Sequence, residues 1–288
     1  MTEVAAENLE AQEAWDGVLF ERFLLYRDLV VPALAALGEK GIRLCPPEPG
    51  DRILDVGCGF GDSTRDLARL AGASGSVLGV DIAPRFVERA QAEAAETGVE
   101  NIRFEACDVQ ATEFGATFDY VYSRFGTMFF DNPVPAFRNM RRAMAPGGRL
   151  CIVVWRRRED NPWLYVAENV VKPWLEEPEE TDEPRCGPGP FSQANADTVS
   201  GQLKSGGFGE ITLHRFDQPF MFGHSLEQAV EMNLALGPAA EALRLAGDQG
   251  ETVRPKLEEL LRGALAQFVQ DDGRVEAMSS IWVVTARA

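Results

Sequence analysis

Histidine is nearly absent from this chain of 288 residues: there are two, His214 and His224. Cysteine is sparse as well. The five (Cys45, Cys58, Cys107, Cys151, Cys186) are odd in number and scattered, with no C-x-x-C pair and no Cys/His cluster. That pattern argues against a metal site and suits reduced thiols better than a disulfide framework. Basic residues are outnumbered, 28 Lys and Arg against 45 Asp and Glu, for a net charge of −17. Nucleic acid and anionic membrane surfaces reward basic patches, so neither is expected as a partner. No window holds the roughly 18 apolar residues of a membrane span. The stretch Met1–Glu10 is acidic and lacks the basic and apolar regions of a signal peptide. Internal repeats are lacking too. These absences leave the expectation of a cytoplasmic protein, monomer or homodimer, that binds no metal and acts on a small molecule.

What is present is concentrated in Asp51–Ser63, which runs Asp-Arg-Ile-Leu-Asp-Val-Gly-Cys-Gly-Phe-Gly-Asp-Ser. Ile53, Leu54 and Val56 make the short apolar run of a buried parallel strand. Gly57, Gly59 and Gly61 let the backbone turn tightly and approach a ligand closely. A helix starting near Ser63 would aim its free N–H groups at the same crevice. Dinucleotide-binding folds use G-x-G-x-x-G at such a turn, to hold a pyrophosphate. Here the spacing is G-x-G-x-G and Asp55 stands two residues before the first glycine. An anion there repels a pyrophosphate and attracts an ammonium or sulfonium group. S-adenosylmethionine carries both and has no phosphate.

Apolar residues at spacings of three and four from Trp15 to Leu37 predict a helical leader over residues 8–41, kinked or split at Pro32. It is expected to cover the sheet, with Trp15 or Tyr26 placed to close over the reactive end of a ligand. Second, third and fourth strands follow at Gly75–Asp81, Asn101–Ala106 and Phe118–Tyr122, and a fifth at Gly148–Trp155. Asp81 falls at the tip of the second strand, where a carboxylate can accept both hydroxyls of a ribose. Asp108 follows the third, placed for an adenine amino group, with Ile82 or Val109 against the ring. The loop Ser123–Phe130 leaves the fourth strand toward the place from which an acceptor must approach. Asn132 is expected to cap the next helix.

Beyond the fifth strand, Arg156-Arg157-Arg158 suggests a solvated exit from the sheet, and Asn161-Pro162-Trp163 opens a helix to about Trp174. Glu176–Glu183, with six acids and one proline, suggests a mobile surface loop. Ser192 is expected to cap a helix that ends at Gly206-Gly207. A sixth strand is expected over Phe208–Phe216. Ser225-Leu226-Glu227-Gln228 has the form of a capping box, and a last strand is expected over Arg274–Arg287. The organisation expected is a helical cover (1–48), a cofactor-binding core (49–156), post-core helices with the acidic loop and sixth strand (157–218), a helical insertion walling the pocket (219–270) and a closing strand (271–288).

Leu54-Asp55-Val56-Gly57-Cys58-Gly59-Phe60-Gly61, Val80-Asp81-Ile82, Cys107-Asp108-Val109, Phe118-Asp119-Tyr120-Val121 and Ala145-Pro146-Gly147-Gly148-Arg149-Leu150 together resemble the class I S-adenosylmethionine-dependent methyltransferases. Ser123-Arg124-Phe125-Gly126, Met128-Phe129-Phe130, Asn161-Pro162-Trp163 and Gly189-Pro190-Phe191 resemble, within that family, a bacterial subgroup labelled ubiquinone/menaquinone-biosynthesis-like. The resemblance implies a Rossmann-like α/β fold. Its seven-stranded, mostly parallel sheet would have an antiparallel last strand and helices on both faces, with helical insertions forming a cap. It also implies that Asp55 and Gly57 bind the methionine part of the cofactor, with Ser123 beside it, that Asp81 binds the ribose and that Asp108 binds the adenine. Cys58, Gly59, Ile82, Cys107 and Val109 complete the expected cofactor-binding set. Ala83 departs from the family pattern, standing where a serine commonly caps the second helix.

The activity expected is methyl transfer to a small apolar acceptor, leaving S-adenosylhomocysteine. Arg124, Phe125, Met128, Phe129, Trp155, Trp163 and Trp15 would line its pocket. Of the two histidines, His214 falls within a strand and His224 is the candidate general base. Methylation of an enol or hydroquinone carbon needs little beyond an apolar pocket, so a base is not required. Two rivals remain: an NAD-dependent oxidoreductase, opposed by Asp55 and the glycine spacing, and a cofactor-binding regulatory protein with a collapsed acceptor pocket.

Overall fold

Short runs of aliphatic residues form the sheet, and the amphipathic stretches between them form helices that cover its faces. The computed structural model describes residues 4–115, 117–175 and 184–288. Strands β1 (Arg52–Val56), β2 (Ser76–Asp81), β3 (Ile102–Ala106), β4 (Phe118–Arg124) and β5 (Met144–Trp155) are parallel. With β6 (Gly209–Gly223) and β7 (Val275–Arg287) they make one seven-stranded sheet, order β3-β2-β1-β4-β5-β7-β6. The last strand, β7, runs antiparallel to β5 and β6, as expected. Ile53, Leu54, Val80, Val121, Ile152 and Val283 are buried along the middle of this sheet, where both faces are covered. Strand order reverses at β1, which pairs with β2 on one side and β4 on the other. Connections leave that point in opposite directions, so a crevice opens at the carboxyl ends of the strands.

The leader forms α1 (Leu9–Ala14), α2 (Phe20–Leu25) and α3 (Arg27–Leu44). Pro32 does not split it. It sits inside α3, where it forgoes one backbone bond near the start of the helix. The breaks lie at Tyr26 and at a widened turn, Trp15–Leu19, where Gly17 leaves helical geometry (φ −99°, ψ −113°). Helix α3 lies close on the sheet because Gly38 and Gly41 face it: the Tyr122 hydroxyl donates to the Gly38 carbonyl at 3.1 Å.

Helices α4 (Asp62–Ala71) and α5 (Pro84–Thr97) follow β1 and β2, and α6 (Pro133–Arg142) follows β4. Asn132 precedes α6 but makes no capping bond; its amide donates to Asp131 instead. After β5 come α7 (Pro162–Val171) and α8 (Ala196–Ser205). The cap of α8 is Asn195, whose Oδ1 accepts from the backbone of Asp197 and Thr198, while Ser192 donates to the Met128 carbonyl. The guanidinium of Arg156 is not solvated. It is buried over the Trp282 ring, 4.5 Å from its centroid, and donates to Ser280.

Strand β6 continues to Gly223 through Pro219, so the insertion begins later than expected. A proline is tolerated there because β6 is the edge of the sheet and has one side free of a partner strand. The insertion comprises α9 (Leu226–Ala235), α10 (Pro238–Leu245) and α11 (Asp248–Leu265), of which α10 and α11 pack on α7. Ser225 Oγ caps α9 through the Gln228 N–H, and the Gln228 side chain accepts from His224 N–H, one residue before the expected box. The acidic run at 176–183 lies outside the described residues. No helix among the described residues is long and apolar enough to cross a membrane.

A Cβ at Gly41 would lie 2.8 Å from Val153 Cγ2 and 3.2 Å from Cys151 Sγ. Gly41→Val is therefore expected to lower stability by ~1–3 kcal/mol, the usual cost of overpacking. Urea denaturation measures it, and an unchanged midpoint would show that α3 can lift off β5 without cost.

Candidate active site

The crevice at the end of β1 is shaped by backbone contact. The N–H groups of Gly57 and Cys58 both donate to the Val80 carbonyl, at 2.8 and 3.0 Å, tying the turn to β2. Gly57 has φ +71°, and a Cβ on it would lie 2.9 Å from Gly126 Cα. Only glycine fits both demands. The Ser123 hydroxyl donates to the Val56 carbonyl at 2.7 Å and fastens the end of β4 to the end of β1.

Asp81 closes the other side of the turn. Its Oδ2 accepts from Gly59 N–H at 2.9 Å and its Oδ1 from Ala83 N–H at 3.1 Å. The role of the missing serine cap at Ala83 falls to the leader instead, where Asp16 Oδ1 accepts from Arg85 N–H in the first turn of α5 at 2.7 Å. Burial pushes the Asp81 carboxyl above the ordinary value, against the pull of the backbone donors of Ala83, Gly59 and Ile82. Asp108 accepts from its own loop, Gln110 N–H at 2.9 Å, and from the leader, Asn8 Nδ2 at 2.8 Å and Ala5 N–H at 3.1 Å. Two more bonds hold the leader over the crevice: Gln12 Nε2 to the Ile82 carbonyl (2.9 Å) and Trp15 Nε1 to the Cys186 carbonyl (3.1 Å).

One cavity of ≈ 560 Å³ runs along this edge. At one end it is bordered by Gly57, Cys58, Gly59, Asp81, Ile82, Cys107, Asp108 and Val109. Trp15, Arg124, Phe125, Met128, Phe129, Trp155 and Trp163 border the rest of it. The apolar end is built from stacked rings. Phe125 lies on Trp155 (centroids 4.2 Å apart, planes at 19°) and Trp163 on Phe220 (4.1 Å, 18°), with Trp163 Nε1 donating to Ser279 Oγ. Phe125 has φ +58°, a backbone region that costs an aromatic residue ~1–3 kcal/mol and tends to occur at functional sites. The stack on Trp155 and a bond from Phe125 N–H to the Val153 carbonyl hold it there.

Three expected site residues lie elsewhere. Asp55 is fully buried beneath the turn, because its place on β1 points it at the start of α4. There Ser63 and Thr64 donate to its Oδ2 at 2.8 and 2.7 Å. Its Oδ1 accepts nothing among the described residues. Ser123 is spent on the β1 backbone and does not border the cavity. His224 is exposed at the start of α9, away from the cavity wall, because β6 carries the chain past the pocket before the helix begins. It can serve no general-base role from there.

Asp62, directly after the third glycine, borders the cavity where Asp55 does not. Arg124 grips it with both nitrogens, Nη1 to Oδ2 at 2.7 Å and Nη2 to Oδ1 at 3.0 Å. Burial pushes the Asp62 carboxyl upward, but the Arg124 guanidinium more than offsets this and holds it below the ordinary value. Sequence reasoning missed Asp62, although an acid within the first turn of a helix behind a glycine turn was a usable signal. It also missed Glu168, an acid on the apolar face of α7.

Residues 47–202 match the family model described as a methyltransferase domain, and the chain belongs to that family. It is similar to aklanonic acid methyltransferase DauC of Streptomyces sp. strain C5, 33% identical over 126 residues, covering 43% of this chain and 57% of that one. It is likewise similar to the ubiquinone/menaquinone biosynthesis C-methyltransferase UbiE of Ectopseudomonas mendocina, 33% identical over 125 residues, 43% of this chain and 48% of that one. The chain thus spans about half the length of the curated relatives it matches. Among solved structures, YcgJ of Bacillus subtilis aligns with a TM-score of 0.56 at 16% identity, over 88% of this chain and 97% of that one. Phosphoethanolamine N-methyltransferase 2 of Haemonchus contortus aligns with a TM-score of 0.55 at 19% identity, over 96% and 59%. These two likenesses concern the fold.

Burial raises the Asp55 carboxyl from 3.8 to about 6, despite the two hydroxyl donors. The folded protein therefore holds this proton more tightly than the unfolded chain does. Its stabilising contribution is complete below pH 3.8 and is lost as pH rises through about 6. The loss is on the order of 3 kcal/mol, since each tenfold gain in proton affinity is worth ~1.4 kcal/mol. Asp55→Asn should abolish this loss, so that its urea midpoint exceeds that of the wild type near pH 8 but not near pH 4. Midpoints that fall in parallel between the two conditions would exclude the buried carboxylate as the cause.

Proposed function

We propose that this chain binds S-adenosylmethionine along the carboxyl edge of the sheet. On this reading it transfers the methyl group to carbon or oxygen of a small, largely apolar acceptor, of aromatic, quinol or polyketide-like type. The observation that carries the reading is one continuous cavity joining a glycine turn flanked by carboxylates to a box of stacked aromatic rings. Asp81 would take the ribose hydroxyls. Asp108, already the acceptor of an amide from Asn8, would take the adenine amino group, with Ile82 and Val109 against the ring. The Asp62–Arg124 pair presents one negative and one positive group, the complement of a zwitterionic amino-acid head. Asp55, beneath the turn, would keep Ser63 and Thr64 in place.

The bound cofactor supplies an electrophilic methyl group on a sulfonium. The protein's share is to hold donor and acceptor in line, which is worth ~7–11 kcal/mol in favourable cases. Phe125, Trp155 and Trp163 exclude water from the line of approach. The names of the curated relatives, a C-methyltransferase of quinone biosynthesis and an aklanonic acid methyltransferase, support a small-molecule acceptor. A dinucleotide would bring its pyrophosphate against Asp62 and Asp81, which disfavours the oxidoreductase reading. A collapsed acceptor pocket is disfavoured by the cavity beside Arg124 and Phe125.

Calorimetry with S-adenosylhomocysteine tests the cofactor half. Binding is expected for the wild type and weaker by roughly tenfold or more for Asp81→Asn, since a charge-assisted hydrogen bond is lost. Affinity for NADH instead, or no loss in Asp81→Asn, would count against it. Transfer of a labelled methyl group to a panel of phenols, quinols, polyketides and amines tests the acceptor half.

A further inference from the structure

Asp108 is the acid that would take the adenine amino group, yet most of its hydrogen-bonding capacity is already in use. Its Oδ1 accepts from Gln110 N–H at 2.9 Å, and its Oδ2 from Asn8 Nδ2 at 2.8 Å and Ala5 N–H at 3.1 Å. A carboxylate offers about four lone pairs, so one remains, on Oδ1. An adenine amino group brings two N–H donors. Asp108 can answer one of them, and in so buried a place the other calls for a second acceptor.

The leader supplies one. Asn8 directly precedes α1 and borders the cavity together with Asp108, Ile82 and Val109. It is pinned there from both sides in sequence, by the bond from Ala5 N–H to Asp108 and by the bond from Gln12 to the Ile82 carbonyl. A carboxylate only accepts. The bond between Asn8 and Asp108 therefore turns the amide nitrogen toward the acid and fixes the amide oxygen, Oδ1, away from it. That oxygen accepts nothing among the described residues. It is not sealed in as Asp55 Oδ1 is, which lacks both a partner and accessible surface.

We propose that Asn8 Oδ1 is the second acceptor for the adenine amino group, so that the leader and Asp108 read the base jointly and select an amino purine over an oxo purine. This rests on the cofactor-binding reading above. An oxo purine sets a carbonyl oxygen against two acceptors with no donor between them, and both are left unanswered. A site built around a donor rejects the analogue that lacks it for this reason. The base then bridges the leader and the loop that follows β3, and Asn8 determines specificity from outside the glycine turn and the strand tips.

The test is calorimetry on the whole protein with S-adenosylhomocysteine and with S-inosylhomocysteine, which differ in the base alone, amino against oxo. Failure of the wild type to bind S-adenosylhomocysteine would sink the cofactor reading itself, separately from the role of Asn8. Where it binds, the wild type should prefer it over the inosyl probe by roughly hundredfold. Asn8→Ala should weaken S-adenosylhomocysteine by roughly fivefold, the worth of one neutral hydrogen bond, and leave the inosyl probe no weaker, so that the preference shrinks by that factor. Gln12→Ala loosens the leader without touching the base and should keep the wild-type preference. Both variants should fold, because neither side chain belongs to the hydrophobic core, and an unchanged thermal midpoint verifies that. Tighter binding of S-adenosylhomocysteine by Asn8→Ala would overturn the proposal and mark Asn8 as a plug that the base displaces. An undiminished preference in Asn8→Ala, or the same loss of preference in Gln12→Ala, would overturn it and mark Asn8 as a tether of the leader. Parity of the two probes in the wild type would overturn it outright.

Discussion

Everything at the candidate site depends on two stretches of backbone being allowed to touch. Gly57 ends β1 and Gly126 follows β4, and a Cβ on either would meet the other's main chain at about van der Waals overlap, 2.9 and 3.1 Å from the opposing Cα. Their contact, fastened by Ser123 to the Val56 carbonyl, sets how far apart the two loops leave the sheet. One loop then becomes α4 and delivers Asp62; the other turns into the aromatic segment that starts at Phe125. Polar and apolar parts of the cavity are therefore neighbours by construction, because both are anchored to the same backbone contact at the point where strand order reverses.

Charge is managed differently at each acid along this edge. Asp55 has two hydroxyl donors and no cation in contact, and burial wins: its carboxyl rises to about 6. Asp62 is also buried, but a bidentate guanidinium outweighs the desolvation and its carboxyl falls below the ordinary value. Hydroxyl hydrogen bonds do not offset the burial of a carboxylate here, whereas a paired guanidinium does. Asp62 therefore stays charged at the cavity wall, and Asp55 is better placed to hold the helix start than to bind a ligand.

Much of this architecture was legible in the order of apolar runs and glycines. The five parallel strands fall within a few residues of their expected bounds because each carries an apolar or alternating run; β1 and β4 are largely buried on both faces, whereas β3, at the sheet edge, alternates with exposed Arg103 and Glu105. What failed was position within an element. Pro32 suggests a break, but it lies inside α3 and gives up one backbone bond without ending the helix; β6 runs past its expected end through Pro219, on a sheet edge where a missing N–H costs little. Asp55 was misplaced for a similar reason. Spacing from a glycine says how far along the chain an acid lies, whereas the face of the strand it occupies is decided by which helix packs there. Glu168 was invisible because a lone acid on a helix is usually solvated, and its burial follows from α10 and α11, contributed by residues some seventy or more positions later.

The leader gives the cavity its remaining wall, and it does so by bonds of a different kind from those in the sheet. Asn8, Gln12 and Trp15 each make one hydrogen bond across the crevice, to Asp108, Ile82 and Cys186. The bonds to the Ile82 and Cys186 carbonyls are worth ~0.5–1.5 kcal/mol net each, and the one to the Asp108 carboxylate ~1.5–3 kcal/mol. The sheet beneath is held by continuous ladders and a buried core, so it does not open at comparable cost. Between the two, α1 and the widened turn at Trp15–Leu19 interrupt the helix and leave Gly17 outside helical geometry, uncoupling α1 from α2. Asp108 is thus gripped from the leader by single hydrogen bonds, whereas the strand that ends before it is held in a continuous ladder.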